Sequence, residues 1–376
     1  MIIVGFYQDH LVVVPDDIDL ARSPLRATLD ADSYVLGAFN PGMTRLPNGN
    51  LLLMVRIAEA LSVPIHDGMV RAIRWEAGRY VLDAWPLDAV DVSDPRKFML
   101  KGQNWPVMAL TSLSWLLPIE MSPDGLNVIA YHYDHAISPA TDSQCYGIED
   151  ARISRIEGRY WMTTCTVSPE RHGTTLYSSQ DGLAWHCEGL VLDHQNKDML
   201  LFEGRIGDRF WAQTRPLGDL YFAYPSNSRW QAGPSINLAT SPDGLHWKPH
   251  DRPGIRPHVD WPATARIGGG APPILTHEGW LSLWHGVAPN EGAGLYRTYF
   301  SILDRDDPAL VVRSDRCPVL EPAPALTASL AHQMYLHDIV FTTGILDAGD
   351  HYIIASGEAD LACRITHIPH SRFHRS

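Results

Sequence analysis

Repetition constrains the fold of this chain more than any other feature. The segments SQDGLAW (179–185) and SPDGLHW (241–247) share the pattern S-x-D-G-L-x-W, and their aspartates, Asp181 and Asp243, stand 62 positions apart. A shortened third copy, SPDGL, occupies 122–126. Asp-Gly supplies the positive φ angles of a tight turn between strands, and the Trp that follows opens an apolar strand. A second element is a Gly turn followed by an aromatic or aliphatic strand. It recurs as NGNLLLMVR (48–56), EGRYWMTTC (157–165), GDRFWAQTR (207–215), EGWLSLWHG (278–286) and GDHYIIASG (349–357). The last four copies follow one another at about 50 to 70 residues, and the wider first gap places an insertion or extended loops at about 58–145. Within it, EAGRYVLDAW (76–85) is a further hairpin candidate.

A unit of this length holds four antiparallel strands, so the chain reads as all-β. Five units suggest a single domain over 1–376, a five-bladed β-propeller with its active site in the central channel. A pair of β-sandwiches or a six-bladed propeller uses the same turns. Numerous Gly (29), Pro (28), Trp (12) and Tyr (14) fit many short strands. Helical periodicity is scarce, and short helices are expected only around 324–332 and 58–63.

A formal net charge of −13 argues against nucleic acid or an anionic membrane surface as partner. The start, MIIVGFYQDHLVVVPDD, lacks the basic and apolar regions of a signal peptide, and no run approaches 18 apolar residues. A cytoplasmic protein is expected. The cysteines (Cys145, Cys165, Cys187, Cys317, Cys363) are odd in number and form no C-x-x-C, which favours reduced thiols over a disulfide framework or a zinc site. HYDH (132–135) holds two histidines three apart, which a strand points to opposite faces, so no metal is expected there.

Polar residues interrupting apolar strands are the candidates for chemistry. Glu149 and Asp150 adjoin in YGIEDARISRIEGRYW. In a regular strand only one of them faces a central cavity, and the other pairs with Arg152 or a neighbouring strand. Lys197, Arg215, Arg266 and His285 each stand beside an apolar segment. Each alone reads as a satisfied structural charge, whereas the four on one channel would form an anion pocket. The run Gly268–Gly270 is either a turn or a source of backbone N–H donors.

The ordered motifs FNPGMTRLPNGNLLLMVR, YGIEDARISRIEGRYW, NKDMLLF…TRP, RIGGGAPPILTHEGWLSLWHGV, YRTYFSILDRDDP and ASGEAD resemble glycoside hydrolase family 130, the β-mannoside phosphorylases and related β-mannosidases. The resemblance covers nearly the whole chain and implies a five-bladed propeller. It also implies an inverting phosphorolysis of β-linked mannosyl oligosaccharides to α-mannose 1-phosphate and an acceptor sugar. Asp150 stands at the family's catalytic acid, in E-D-A-R where E-D-P-R is usual. Asn40, Arg56 and Asp360 fall on sugar contacts. Lys197, Arg215, Arg266 and His285 fall on the phosphate contacts, so inorganic phosphate would be co-substrate with no cofactor or metal. Members of the family often associate, which makes a homo-oligomer an expectation. One departure favours hydrolysis: Glu203 follows LLF where Pro is common, and is the candidate base for water in an inverting β-mannosidase. An ion pair of Glu203 with Arg205 or Arg209 is the simpler reading. A non-catalytic glycan-binding propeller is the remaining alternative.

Overall fold

The computed structural model describes residues 8–374 apart from 193, 219, 264, 291 and 292. The chain is all-β. Five sheets follow in sequence, and each contains one of the five strands that open on a Gly turn. Sheet I comprises Ser33–Arg45, Leu51–Leu61, Ser112–Met121 and Val128–Tyr131. Sheet II comprises Ile148–Ile156, Arg159–Val167, His172–Ser179 and His186–Leu190. Sheet III comprises Asn196–Leu201, Phe210–Pro216, Asn237–Ser241 and Lys248–Pro249. Sheet IV comprises Arg266–Gly269, Gly279–Ala288, Leu295–Leu303 and Val311–Ser314, with Ile274–Thr276 also on the second strand. Sheet V takes Val340–Asp347, His351–Glu358 and Ala362–Pro369 from the end of the chain and Gln8–Val13 from its beginning.

Apolar cores lie between successive sheets. Leu52, Met54 and Leu116 of sheet I meet Ile153, Tyr160 and Met162 of sheet II. Trp161 and Leu176 of sheet II meet Leu201 and Phe210 of sheet III. Leu238 of sheet III meets Ile267 and Trp284 of sheet IV. Leu283 and Phe300 of sheet IV meet Ile345 and Ile354 of sheet V. Ile353 and Ile365 of sheet V then meet Leu51, Leu53 and Leu117 of sheet I. The S-x-D-G-L turns are set against these seams. The Asp181 carboxylate accepts from Leu183 N and Ala184 N, both at 2.9 Å, and Asp243 repeats this with Leu245 and His246. A Cβ on Gly182, at φ 85°, would stand 2.8 Å from Leu46 of sheet I. The repeated glycine therefore provides both the turn and the close approach of one sheet to the next.

Between its second and third strands sheet I carries the insertion. It consists of two three-stranded sheets, one of Ile65–His66, Met69–Glu76 and Arg79–Pro86, the other of Val90–Asp91, Lys97–Leu100 and Val107–Leu110. They share a small core of Val70, Ala72, Val90, Phe98 and Ala109. The hairpin expected at 76–85 is its longest pairing. The two expected helices fare differently. A short helix, Pro324–Thr327, runs into a 3-10 turn, Ala328–Leu330. Residues 58–63 instead begin within the strand Leu51–Leu61, where Ala58 and Ala60 pair with Ser114 and Ser112. Ladder pairing on both sides outweighs the helix preference of two alanines.

Candidate active site

The first strands of sheets I, II and III share an irregularity. Each carries a bulge, between Phe39 and Gly42, Glu149 and Arg152, and Lys197 and Leu200. Within each bulge one residue lies in the left-handed region: Asn40 at φ 48°, Asp150 at 52° and Asp198 at 54°. Asn and Asp tolerate this conformation better than other residues with a side chain. A bulge breaks the alternation of faces, so neighbours can point the same way. Phe39 with Asn40, Glu149 with Asp150 and Lys197 with Asp198 accordingly all line one cavity of about 800 Å³. The expectation that only one of Glu149 and Asp150 faces the cavity fails for this reason.

Eight of the sequence candidates converge on that cavity: Asn40, Arg56, Asp150, Lys197, Arg215, Arg266, His285 and Asp360. Asp150 Oδ1 accepts from Asn40 Nδ2 at 2.9 Å and from Arg56 Nη1 at 3.0 Å. Arg56 Nη2 donates to Glu149 Oε1 at 2.9 Å and its Nε to Ser114 Oγ at 2.9 Å. Lys197 Nζ donates to the other oxygen of Glu149 at 3.0 Å. Glu149 thus joins the two cations, and Asp150 shares the first of them. Burial works against the Asp150 charge, but Arg56, Lys197, Arg152 and the Asn40 hydrogen bond prevail and hold its carboxyl well below the usual range. Asp360 sits in a left-handed turn at φ 50°, and its backbone oxygen accepts from Tyr335 at 2.9 Å. Burial, aided by the charges of Asp150 and Glu149, outweighs Arg56 and Arg96 and pushes its carboxyl up to about 6. Two carboxyl groups of one cavity are driven apart in acidity, a pattern characteristic of acid–base sites.

Another part of the wall is cationic. Arg215 Nη1 donates to His285 Nε2 at 3.3 Å, and Arg215 Nε lies 3.0 Å from Asp198 Oδ2, off the angle a hydrogen bond needs. Arg266 donates to Tyr296 OH and, at 3.1 Å, to Ala293 O. Burial and then the neighbouring Arg215, Arg266 and Arg152 keep the His285 imidazole neutral, far below its ordinary titration range. With Nε2 accepting from Arg215, the ring proton falls on Nδ1, which has no partner. Asn40 Oδ1, Arg215 Nε and Arg266 Nε are likewise buried without hydrogen bonds. Buried polar atoms are rarely left so, and their concentration on one cavity marks where a polar ligand belongs.

The Gly268–Gly270 run serves this wall differently from either expectation. Gly268 and Gly269 lie in a strand opposite His285 and Trp284, and Gly270 N donates to Leu283 O at 2.9 Å. A Cβ on Gly268 would come within 2.4 Å of both Asp198 and His285. The glycines are there to admit those side chains.

Glu203 is absent from the cavity wall. It follows the far end of the strand that holds Asp198, five residues on, or roughly 16 Å at strand spacing. Its Oε1 accepts weakly from Arg155 N at 3.3 Å, while Arg205 pairs with Glu157. Neither the water-activating base nor the ion pair with Arg205 is found. The HYDH segment is a 3-10 turn, Tyr133–His135, rather than a strand, so its histidines are not sent to opposite faces: their rings lie 6.2 Å apart between centroids, with His132 Nε2 at 3.1 Å from Glu120.

Sequence reasoning missed Asp198, Arg96, His172, Tyr296 and Tyr335, all on the cavity wall. A signal for Asp198 was present: K-D in sheet III repeats E-D in sheet II at the same place in the strand. Arg96 and Lys97 come from the insertion and reach the cavity with Met108 and Leu110.

Carboxyl groups driven apart in acidity beside a cationic wall make a site of the acid–base class that can also hold an anion. The model of glycoside hydrolase family 130, described as beta-1,4-mannooligosaccharide phosphorylase, matches residues 111–373. The chain is a member of this family. It is 29% identical over 372 residues to the beta-1,2-mannobiose phosphorylase of Listeria innocua, covering 94% of this chain and 92% of that one. The 1,2-beta-oligomannan phosphorylase of a Thermoanaerobacter strain is 28% identical over 243 residues, 64% of this chain and 74% of the relative. The solved structure of the Listeria innocua enzyme with beta-1,2-mannobiose superposes with a TM-score of 0.77 at 27% identity, over 97% of this chain and 98% of that one.

Proposed function

We propose that this chain is an inverting β-mannoside phosphorylase. It transfers a β-linked mannosyl group to inorganic phosphate, releasing α-mannose 1-phosphate and an acceptor sugar. The observation that carries this reading is the cationic wall with unpartnered donors beside Asp150. Phosphate needs several charge-assisted donors, and the two arginines of this wall, Arg215 and Arg266, with the neighbouring Lys197 supply them. The relative that covers 94% of this chain and another that covers 64% of it are both phosphorylases of β-mannosides by name. The hydrolytic reading is less well supported, because its candidate base, Glu203, is not among the residues that line the cavity.

The residue roles are those the family resemblance implies, and the meeting of these residues on one cavity supports them. Asn40, Arg56 and Asp360 surround Asp150 and bind the mannosyl unit. Arg215, Arg266 and His285 hold phosphate, with Lys197 at the boundary between the two. Asp150 supplies the proton to the glycosidic oxygen. In the unliganded cavity its carboxyl is ionised, so it must gain a proton before it can give one. Phosphate brings negative charge next to the cations that depress Asp150, and this raises its affinity for a proton. Arrival of the nucleophile therefore arms the acid.

The five sheets are read as five blades around a channel. The support is that each pair of consecutive sheets shares a core, and that one core joins the last sheet to the first. The domain is then a single ring with the 65–110 sheets as an attachment at the cavity mouth. The acidic surface charge and the lack, among the described residues, of any helix long and apolar enough to cross a membrane agree with a cytoplasmic enzyme.

The test is product analysis with β-linked manno-oligosaccharides, β-1,2-mannobiose first, with and without phosphate. Phosphate-dependent mannose 1-phosphate is expected. Free mannose at a rate indifferent to phosphate overturns the proposal.

A further inference from the structure

A second cavity, of about 640 Å³, lies away from the active site at the seam of sheets IV and V, lined in part by His277, Tyr352, His370 and His374. The turn before the second strand of sheet IV supplies His277 and Glu278, and the C-terminal segment supplies His374. His277 Nε2 and His374 Nδ1 stand 3.8 and 3.9 Å from the same atom, Glu278 Oε1. The three donor atoms all lie within 4.8 Å of one another. The two separations from Glu278 are too long for hydrogen bonds and within about half an ångström of the roughly 3.4 Å edge of a tetrahedron built on Zn–N and Zn–O distances of about 2.0–2.1 Å. The His374 side chain is only 9% exposed, and its Nδ1 is buried with no hydrogen-bond partner.

The surroundings resemble the outer shell of a metal site. Tyr352 OH and His374 Nε2 are 2.8 Å apart, which fixes the ring and leaves Nδ1 towards Glu278. Arg313 Nη2 donates to Glu278 Oε2 at 2.6 Å, and Oε1 is the Glu278 oxygen nearer the two imidazoles. Ligating histidines and carboxylates are commonly oriented by such bonds through their second polar atom.

We propose that His277, Glu278 and His374 form a divalent-cation site of the zinc type, separate from catalysis, that fastens the C-terminal segment to sheet IV. Two imidazole nitrogens and one carboxylate oxygen suit Zn²⁺ and leave a fourth position to water. His277 is 70% exposed on its side chain, so it has the freedom to swing towards Glu278 and His374. The site acts beside Phe373, which already packs on Phe300 of sheet IV at 5.2 Å between ring centroids.

The test uses the untagged full chain, stripped with EDTA and titrated with Zn²⁺ by calorimetry. One Zn²⁺ per chain is expected, with a rise of a few degrees in Tm. His277→Ala, a change at an exposed turn, should weaken binding at least tenfold and abolish the Tm rise while mannoside phosphorolysis is unchanged. His374→Ala should weaken binding similarly. Absence of stoichiometric binding overturns the proposal, as does binding that His277→Ala leaves intact, which would place the metal on other histidines.

Discussion

Asp150, Arg56 and Glu149 form a buried charge cluster whose members cannot be removed independently. Asp150→Asn keeps the shape and the Asn40 and Arg56 neighbours but no longer has an acidic proton. Turnover of an unactivated mannoside is expected to fall by about 10²–10⁴, the usual worth of a general acid, with the circular dichroism spectrum unchanged. Arg215→Ala should raise the KM for phosphate by about tenfold or more, equivalent to ~1.4 kcal/mol, and that for mannoside by much less. Lys197→Met removes one of the cations that depress Asp150. The basic limb of the kcat profile at saturating phosphate should then move to higher pH, because an acid catalyst works while protonated and its carboxyl titrates later. At this scale the sequence was informative where one residue type carries the role. The four basic residues and Asp150 were legible from their placement in apolar strands and from the family motifs. Asp198 and the shared orientation of Glu149 and Asp150 were not, because alternation along a strand presumes an unbroken pleat.

At the scale of elements, the bulge does what a regular strand cannot. It turns two successive side chains into one cavity, and the left-handed residue at its centre accounts for Asn or Asp at 40, 150 and 198. The glycine strand opposite has to stay bare for the same reason. Gly268→Ala is expected to displace Asp198 and His285, lowering phosphate affinity more than it lowers Tm; equal phosphate KM in that variant would show the wall can yield. The innermost strands also have a non-catalytic end, where Glu203 is partly buried and desolvation pushes its carboxyl up to about 7. A carboxyl with a raised folded-state pKa contributes stability below its unfolded value of about 4.3, and that contribution is lost as pH rises towards 7. Glu203→Gln should therefore flatten the decline in Tm between pH 5 and 8, recovering up to about 3 kcal/mol at the alkaline end at 1.36 kcal/mol per pH unit. The five Gly-turn strands were readable as elements because turn chemistry and apolar runs are local. The 58–63 segment was misread because its partners lie in another strand, some 50 residues on.

For the molecule as a whole, the sheet that contains both ends of the chain decides cohesion. Gln8–Val13 pairs with Ala362–Pro369, and Asp9 accepts from Arg364 Nε at 2.6 Å and from Thr366 Oγ1 at 2.9 Å. Arg364 is nearly buried and also pairs with Glu358 at 2.8 Å. Asp9→Ala should cost about 2 kcal/mol, below the 3–5 kcal/mol typical of orphaning a buried charge because Glu358 remains, and thermal denaturation would measure it. The repeat count pointed to five units, but nothing in a count says that the first strand of the chain completes the last sheet. That pairing joins residues more than 350 positions apart. During synthesis the strand Gln8–Val13 must therefore wait, with an unpaired edge, until Ala362–Pro369 has left the ribosome. Sheets I to IV can assemble in order in the meantime, so the slow step of folding should belong to this one long-range clasp rather than to any one sheet.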